Sequence, residues 1–419
     1  MDYFEYREGE LFCEDVPVRA VAKKVGTPFY IYSNQTFERH FRVFDGAFRS
    51  MPHLTCFSLK TNSNGALVRT VAKLGGGADI VSGGELYKAL RYGISPKKIV
   101  FSGVGKTEDE LRAAIDAEIL MINIESAGEL SLLKRLSGKM KKKASVSIRI
   151  NPEIDAKTHP YITTGLKENK FGVLWEEARK LYGEISAERY LAPVGISSHI
   201  GSQILEVGPF VDAVSLLKRM ILELRQEGIG VGMLDIGGGL GITYKDELPP
   251  HPEEYARVVE DNLRETGVTL VLEPGRVIVG NSGAFVTKML YVKRTPGKTF
   301  YIVDGAMNDL VRPSLYNAYH EITPILEKSG DKKVVDLVGP VCESTDFFAK
   351  DREIAGLEEG ELLAIKGAGA YGFSMSSNYN ARRRVAEVLV RGDEFFVVRK
   401  RETLRDLTRG ESIPSFLEV

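Results

Sequence analysis

The chain has 419 residues, long for one domain, and its 43% hydrophobic and 27% charged content is that of a folded globular protein. A formal net charge of −1 leaves no field of one sign to draw nucleic acid or an anionic membrane. Three scattered cysteines (Cys13, Cys56, Cys342) exclude a disulfide framework and a zinc knuckle, and they indicate a reducing compartment.

The first residues, Met1 to Glu5, are acidic and aromatic, which is not the pattern of a secretory signal. No apolar run approaches the roughly 18 residues that span a bilayer. The expectation is a cytoplasmic protein without membrane or nucleic-acid partners. The one dense basic run, Lys139 to Lys143 broken by Met140, lies between a helical pattern and a strand and reads as a solvated connection.

In chain order, short continuous apolar runs predict strands over Leu54–Lys60, Ala78–Ser82, Ile99–Gly103, Met121–Ser126, Val146–Ile150, Val194–His199, Met233–Gly237 and Thr269–Glu273. Continuous rather than alternating apolarity is what strands buried on both faces require. Helical patterns such as Gly65–Leu74 and Phe210–Arg225 separate them. Three helices open on a capping-box signature: Ser82 with Glu85, Thr107 with Glu110, and Ser126 with Glu129. Eight strand–helix units predict an α/β fold built on a closed (β/α)8 TIM-like barrel, with an open doubly wound sheet as the competing architecture.

Beyond Arg276 the rhythm changes. Ala284–Val292, Thr299–Val303, Val334–Val338, Leu362–Ile365 and the pair Val385–Val390/Glu394–Arg399 read as strands with few helices between them. They predict a second, mainly antiparallel β-domain, which the N-terminal strand Pro28–Tyr32 is able to join. The expected boundaries are 35–276 for the barrel and 1–34 with 277–419 for the β-domain.

A barrel collects its chemistry at the C-terminal ends of its strands. Polar residues gather there: Lys60, Asp79 and Ser82, Arg149, His199 with Ser202, Gly237-Gly238-Gly239, and Glu273-Pro274-Gly275-Arg276. Unpaired burial of such groups costs a few kcal/mol each, so they are hydrogen-bonded or functional. A lysine ending an apolar strand suits Schiff-base chemistry with a carbonyl, though a lysine simply reaching solvent reads the same way. Glycines after the seventh and eighth strands let backbone amides approach an anion, at the corner where such barrels hold phosphate. A phosphorylated aldehyde fits both ends, and pyridoxal 5'-phosphate is the candidate.

These blocks, together with Asn308-Asp-Leu-Val-Arg312-Pro-Ser-Leu-Tyr316, Cys342-Glu343-Ser344 and Gly367–Asn380, give a chain that resembles the diaminopimelate decarboxylases from about residue 28 to residue 405. That family belongs to the group of ornithine and arginine decarboxylases and alanine racemase. Phe57-Ser58 stands where the family commonly has Tyr-Ala before the lysine.

The resemblance implies that Lys60 holds the cofactor and that His199 stacks on its ring. It implies that Ser202, Gly238, Gly239, Pro274, Gly275, Arg276 and Tyr371 line the phosphate end, with Asp79 and Arg149 also around the cofactor. Glu273 would face the pyridine nitrogen and favour its protonated form, whereas racemases of this fold put a cation there. Cys342 would donate a proton to the carbanion, from a loop that completes the partner's site in a homodimer. Arg276, Arg312, Tyr316, Glu343 and Tyr371 would grip the distal end of the substrate, arginine taking a carboxylate and Glu343 an ammonium.

The implied reaction is decarboxylation of meso-2,6-diaminopimelate to L-lysine and carbon dioxide. The competing readings are a decarboxylase of another basic substrate, such as carboxynorspermidine, D-ornithine or D-lysine, and a non-catalytic pyridoxal-phosphate carrier. The six histidines form no helical His-x-x-x-His pair, and no metal site is expected. His159, in Thr158-His159-Pro160-Tyr161, belongs to a family-like loop at the barrel mouth and receives no chemical role.

Overall fold

The computed structural model describes residues 2–154 and 170–417, and the loop containing His159 lies outside them. The chain divides into two compact units, Phe37–Gly280 and Met1–Thr36 with Asn281–Val419. Among the described residues no helix is long and apolar enough to cross a membrane.

In the first unit eight parallel strands close into a barrel: His53–Ser58, Gly77–Ile80, Ile99–Phe101, Met121–Ile124, Ala144–Arg149, Leu191–Ser197, Met233–Asp235 and Thr269–Leu272. Each pairs with its neighbour in sequence. The last returns to the first through Leu270↔His53, Val271↔Leu54 and Leu272↔Thr55. That closing ladder rules out the open doubly wound sheet.

Every strand differs at one or both ends from the apolar run that predicted it, and the first matters most. Lys60 is not the last residue of its strand. The ladder ends at Ser58, whose carbonyl accepts the Thr61 amide at 3.1 Å and the Thr61 hydroxyl at 2.7 Å, so Lys60 stands on the turn beyond. Leu59 remains 1% exposed, which is why hydropathy carries the strand too far.

The three predicted helix starts are real, but only one is a full capping box. Thr107 accepts from the Glu110 amide while Glu110 accepts from the Thr107 amide. At the other two, Ser82 and Ser126 accept from the amides of Glu85 and Glu129. Those glutamates reach one residue further back, to the amides of Val81 and Glu125. Each bond still satisfies an amide near the helix start.

The second unit is built on a nine-stranded mixed sheet, with a small three-stranded sheet of Phe4–Arg7, Glu10–Cys13 and Val16–Pro17. Its order runs Phe347–Ala355, Lys332–Val338, Lys298–Val303, Gly283–Thr295, Phe29–Ser33, Ala386–Arg391, Glu394–Arg399, with Leu362–Ile365 pairing Gly283–Thr295 and Ile322–Pro324 pairing Leu362–Ile365. Most pairings are antiparallel, as expected. Two are parallel: Phe29–Ser33 with Ala386–Arg391, and Lys298–Val303 with Lys332–Val338.

Strand Phe29–Ser33 shows why a continuous apolar run forms here. Successive side chains point to opposite faces. Phe29 and Ile31 join one core with Val18, Val21, Ala284 and Val388, while Tyr30 and Tyr32 join another with Phe285, Leu337 and Phe348. Full burial of such a side chain contributes roughly 1.5–3 kcal/mol. The buried tyrosine hydroxyls stay satisfied, Tyr30 donating to the Asp309 carbonyl at 2.7 Å and Tyr32 to Glu387 at 2.8 Å.

Candidate active site

Inward-facing residues of the barrel form two layers. Cys56, Val100, Met121 and Val271 make an apolar plug. Two positions further along their strands the same faces carry Ser58, Ser102, Asn123 and Glu273, joined by Asp79 and Asp235. This second layer is buried, and it holds three carboxyl groups: Asp79 at 0%, Asp235 at 1% and Glu273 at 7% exposure.

Hydrogen bonds organise the layer into two groups. Ser58 Oγ donates to Asp79 Oδ2 at 2.5 Å, and Lys60 Nζ reaches the same oxygen at 3.4 Å. Asn123 Nδ2 donates to Ser102 Oγ and to Asp235 Oδ2, both at 3.0 Å. Ser102 Oγ donates to Glu273 Oε1 at 3.3 Å, and the Gly237 amide donates to Asp235 Oδ1 at 2.9 Å. Burial pushes Asp235 up to about 6. Glu273 is raised well above the carboxylate range, by burial first and then by Asp235 and Asp79. A protonated carboxyl is stable there at neutral pH.

The rim is laced together by the loops after the sixth, seventh and eighth strands. Ile204 N–H donates to the Gly239 carbonyl at 2.9 Å, Glu273 N–H to the Gly237 carbonyl at 2.8 Å, and Ser58 N–H to the Pro274 carbonyl at 3.0 Å. Glycine is required at two of these points. A Cβ on Gly238 would lie 2.3 Å from the Glu273 carbonyl, and one on Gly275 would lie 2.3 Å from Thr61 Cγ2. Loop eight therefore packs directly on the turn that carries Lys60.

His199 lies against this cradle, with the Gly238 amide donating to its Nδ1 at 3.2 Å. Nδ1 is thus the acceptor, and in the neutral ring Nε2 carries the proton. Burial lowers its pKa well below the usual value, with Lys60 and Arg149 adding to the effect. The imidazole is neutral and flat. Arg276, 7% exposed, donates to Ser202 Oγ at 3.0 Å and to the Tyr244 hydroxyl at 2.7 Å. Arg149 is held by Glu125 at 3.0 Å, and Glu125 also accepts the amides of Gly103 and Gly172 at 2.8 and 3.1 Å.

Glu85, the capping glutamate of the second barrel helix, also belongs to this neighbourhood. Burial raises it to about 7, with Asp79 adding to the rise and the Val81 amide, Lys60 and Lys88 opposing it. A raised folded-state pKa gives stability that is full below the ordinary value of 4.5 and is lost as pH climbs through about 7. The loss amounts to about 3 kcal/mol. Glu85→Gln should therefore stabilise the protein relative to the parent at pH 8 but not at pH 4.5, measured by thermal unfolding at both. An equal difference at the two pH values would contradict this.

In the β-sheet unit, Arg312 and Tyr316 bound a short helix, Arg312–Tyr316. Arg312 is 6% exposed and donates to His320 Nε2 at 2.9 Å. Because arginine only donates, His320 carries its proton on Nδ1 and gives it to the Lys366 carbonyl at 2.8 Å. Cys342 and Glu343 are exposed on a loop tied by Asp346, whose carboxylate accepts the amides of Val341 and Met307, both at 2.7 Å. The Cys342 amide donates to Asn380 Oδ1 at 3.1 Å. Tyr371 is held in the left-handed region at φ 56°, a strain of order 1 kcal/mol of the kind found at ligand sites.

Four polar residues escaped the sequence reading. Ser102 and Asn123 interrupt apolar strands just as Asp79 does, and the same rule would have selected them. Asp235 was read only as the start of a glycine motif, and Glu125 gave no signal because its partner Arg149 is distant in sequence.

A polar, phosphorylated, aromatic aldehyde fits these residues. There is an amine at Lys60, a flat neutral imidazole at His199, a carboxyl at Glu273, and arginine, serine and glycine amides at one corner. Buried Asp79 Oδ1, Asn123 Oδ1 and Ser198 Oγ have no hydrogen-bond partner among the described residues, a set of polar atoms that such a group can meet.

Residues 34–280 match the family model of the pyridoxal-dependent decarboxylases, over its pyridoxal binding domain. Fold and match together define the class, a barrel enzyme of the pyridoxal-dependent decarboxylases. Similarity to individual proteins narrows it. The chain is 49% identical to the diaminopimelate decarboxylase of Vibrio cholerae over 415 residues, 99% of each chain. It matches the crystal structure of the Helicobacter pylori diaminopimelate decarboxylase complexed with L-lysine at TM-score 0.91 and 43% identity, covering 94% of this chain and 98% of that one. The M. jannaschii enzyme in co-complex with L-lysine matches at TM-score 0.95 and 38% identity, covering 100% and 99%. The chain belongs to the diaminopimelate decarboxylase family.

Proposed function

We propose that this chain decarboxylates meso-2,6-diaminopimelate to L-lysine and carbon dioxide, the last step of lysine synthesis, with pyridoxal 5'-phosphate as cofactor. The observation that carries the reading is full-length similarity to diaminopimelate decarboxylases, joined to a barrel floor with a carboxyl at Glu273 instead of a cation. In this reading the barrel is the cofactor-binding domain, and the β-domain supplies substrate- and partner-contacting loops.

Bound pyridoxal phosphate supplies an electron sink for the carbanion left when carbon dioxide departs. The chain supplies the rest. Lys60 Nζ would hold the cofactor through its aldehyde, the flat neutral His199 imidazole would support its ring, and Glu273 would meet its pyridine nitrogen. Ser202, Gly238, Gly239, Pro274, Gly275, Arg276 and Tyr371 hold the phosphate end, while Asp79 and Arg149 brace the surroundings. Arg276, Arg312, Tyr316, Glu343 and Tyr371 recognise the distal carboxylate and ammonium of the substrate. A substrate with only an amine at its distal end, such as ornithine, would leave buried arginine without its anion.

Cys342 Sγ delivers the proton that replaces carbon dioxide, each subunit of a cytoplasmic homodimer completing the site of the other. Cys342→Ala should keep the visible band of bound cofactor while turnover falls about a hundredfold or more. Unchanged turnover would remove the cysteine from the mechanism. The substrate assignment is tested by measuring carbon dioxide release from a panel of amino acids. Diaminopimelate should be consumed fastest. Faster release from ornithine, lysine or carboxynorspermidine would reject the assignment, and release from none would favour a cofactor carrier.

A further inference from the structure

Asp235 has no role in the reading above, yet it is the most tightly braced carboxyl of the barrel floor. It is 1% exposed, with one oxygen accepting the Gly237 amide at 2.9 Å and the other the Asn123 amide at 3.0 Å. Asn123 and Ser102 link it to the buried Glu273 carboxyl through bonds of 3.0 and 3.3 Å. Two carboxyl groups buried in one polar network repel when both are ionised, so one of them keeps a proton.

We propose that Asp235 is a positioning residue that stays ionised and keeps a proton on Glu273, ready for the cofactor's ring nitrogen. The inference rests on the reading that Glu273 faces that nitrogen. Both Asp235 oxygens already accept N–H groups, which favours its charged form, and this leaves the proton to Glu273. The other titratable groups acting on the pair are Asp79, the Lys60 ammonium, and the buried Cys56 thiol and Tyr255 phenol, whose pKa values burial raises so that they stay neutral.

The transfer balances. The proton leaves Glu273, the nitrogen lone pair takes it, and the Glu273 carboxylate remains bound to the new N–H. Asp235 then adds a second negative charge a layer behind, which makes the nitrogen harder to deprotonate.

The test is a pH titration by nitrogen NMR of holoenzyme loaded with cofactor labelled with 15N in its ring. Asp235→Asn should lower the pH at which the nitrogen loses its proton by about one unit, the scale of one charge removed a few ångströms away. An Asp235→Asn titration that superimposes on the parent overturns the proposal. Glu273→Gln separates the two ideas. If it also leaves the titration unmoved, the facing role of Glu273 fails. If Glu273→Gln moves it and Asp235→Asn does not, only the role of Asp235 fails. Infrared spectra of the unmodified chain with 13C-labelled glutamate guard against a misfolded variant. Without cofactor, the parent should show at pH 8, above the range of Glu85, a protonated glutamate band that Glu273→Gln lacks, and it should vanish when pyridoxal phosphate is added. Its absence before addition overturns the proposal as well.

Discussion

Lys60→Ala should cost roughly a thousandfold or more in turnover and remove the visible band of covalently held cofactor. The amine stands on a tight turn, 3.4 Å from Asp79 and beside a glycine loop too close-packed to admit another side chain. Among the described residues no second lysine belongs to the barrel floor: Lys106 is buried nearby, but it is engaged by Glu129 at 2.7 Å and by two backbone carbonyls. Removing Lys60 therefore leaves no substitute amine among the described residues. Because the side chain is about one-third exposed at the rim, its loss opens no core cavity, and thermal stability should change little. Lost turnover with unchanged melting is the expected pair of results. Parental turnover in the alanine variant would contradict the account.

Glu273→Gln has the second-largest expected effect, a fall of roughly 10²–10³ in kcat with a smaller change in KM. Glutamine preserves shape and accepts the Ser102 hydroxyl, so geometry is kept while charge is removed. The carboxyl is buried and shares its environment with Asp79 and Asp235, so this end of the site is rich in negative potential. That potential favours a protonated ring nitrogen, and the neutral amide does not supply it. Removing a buried acid also relieves a desolvation cost, so the variant should fold at least as stably as the parent. A variant with parental kcat would show that the charge at 273 has no part in catalysis.

Much of this architecture is written locally. Strands buried on both faces leave continuous apolar runs, and polar interruptions at their ends, Asp79, Arg149 and Glu273, mark the functional rim. The exact ends were not legible, because a strand stops where its ladder stops. Leu59 is apolar and buried like the strand residues before it, and only the bonds from Thr61 to Ser58 turn the chain. Phe347–Ala355 was missed for a related reason. Its centre, Lys350-Asp351-Arg352-Glu353, is charged, as suits an edge strand that must not recruit another chain, and this hides its β character. The N-terminal strands Phe4–Arg7, Glu10–Cys13 and Val16–Pro17 are too short to give a periodic signal. The hydrogen-bonded chain from Asp235 through Asn123 and Ser102 to Glu273 draws on four strands and the residues just past them. Pairings of that kind exist only once the barrel closes.

The most direct test of the covalent amine is borohydride reduction of the cofactor-loaded protein, followed by proteolysis and mass mapping of the modified peptide. One lysine should carry the reduced adduct, within the peptide that contains Phe57-Ser58-Leu59-Lys60. An adduct on any other lysine, or a protein that reduces without retaining cofactor, would contradict the account at its root.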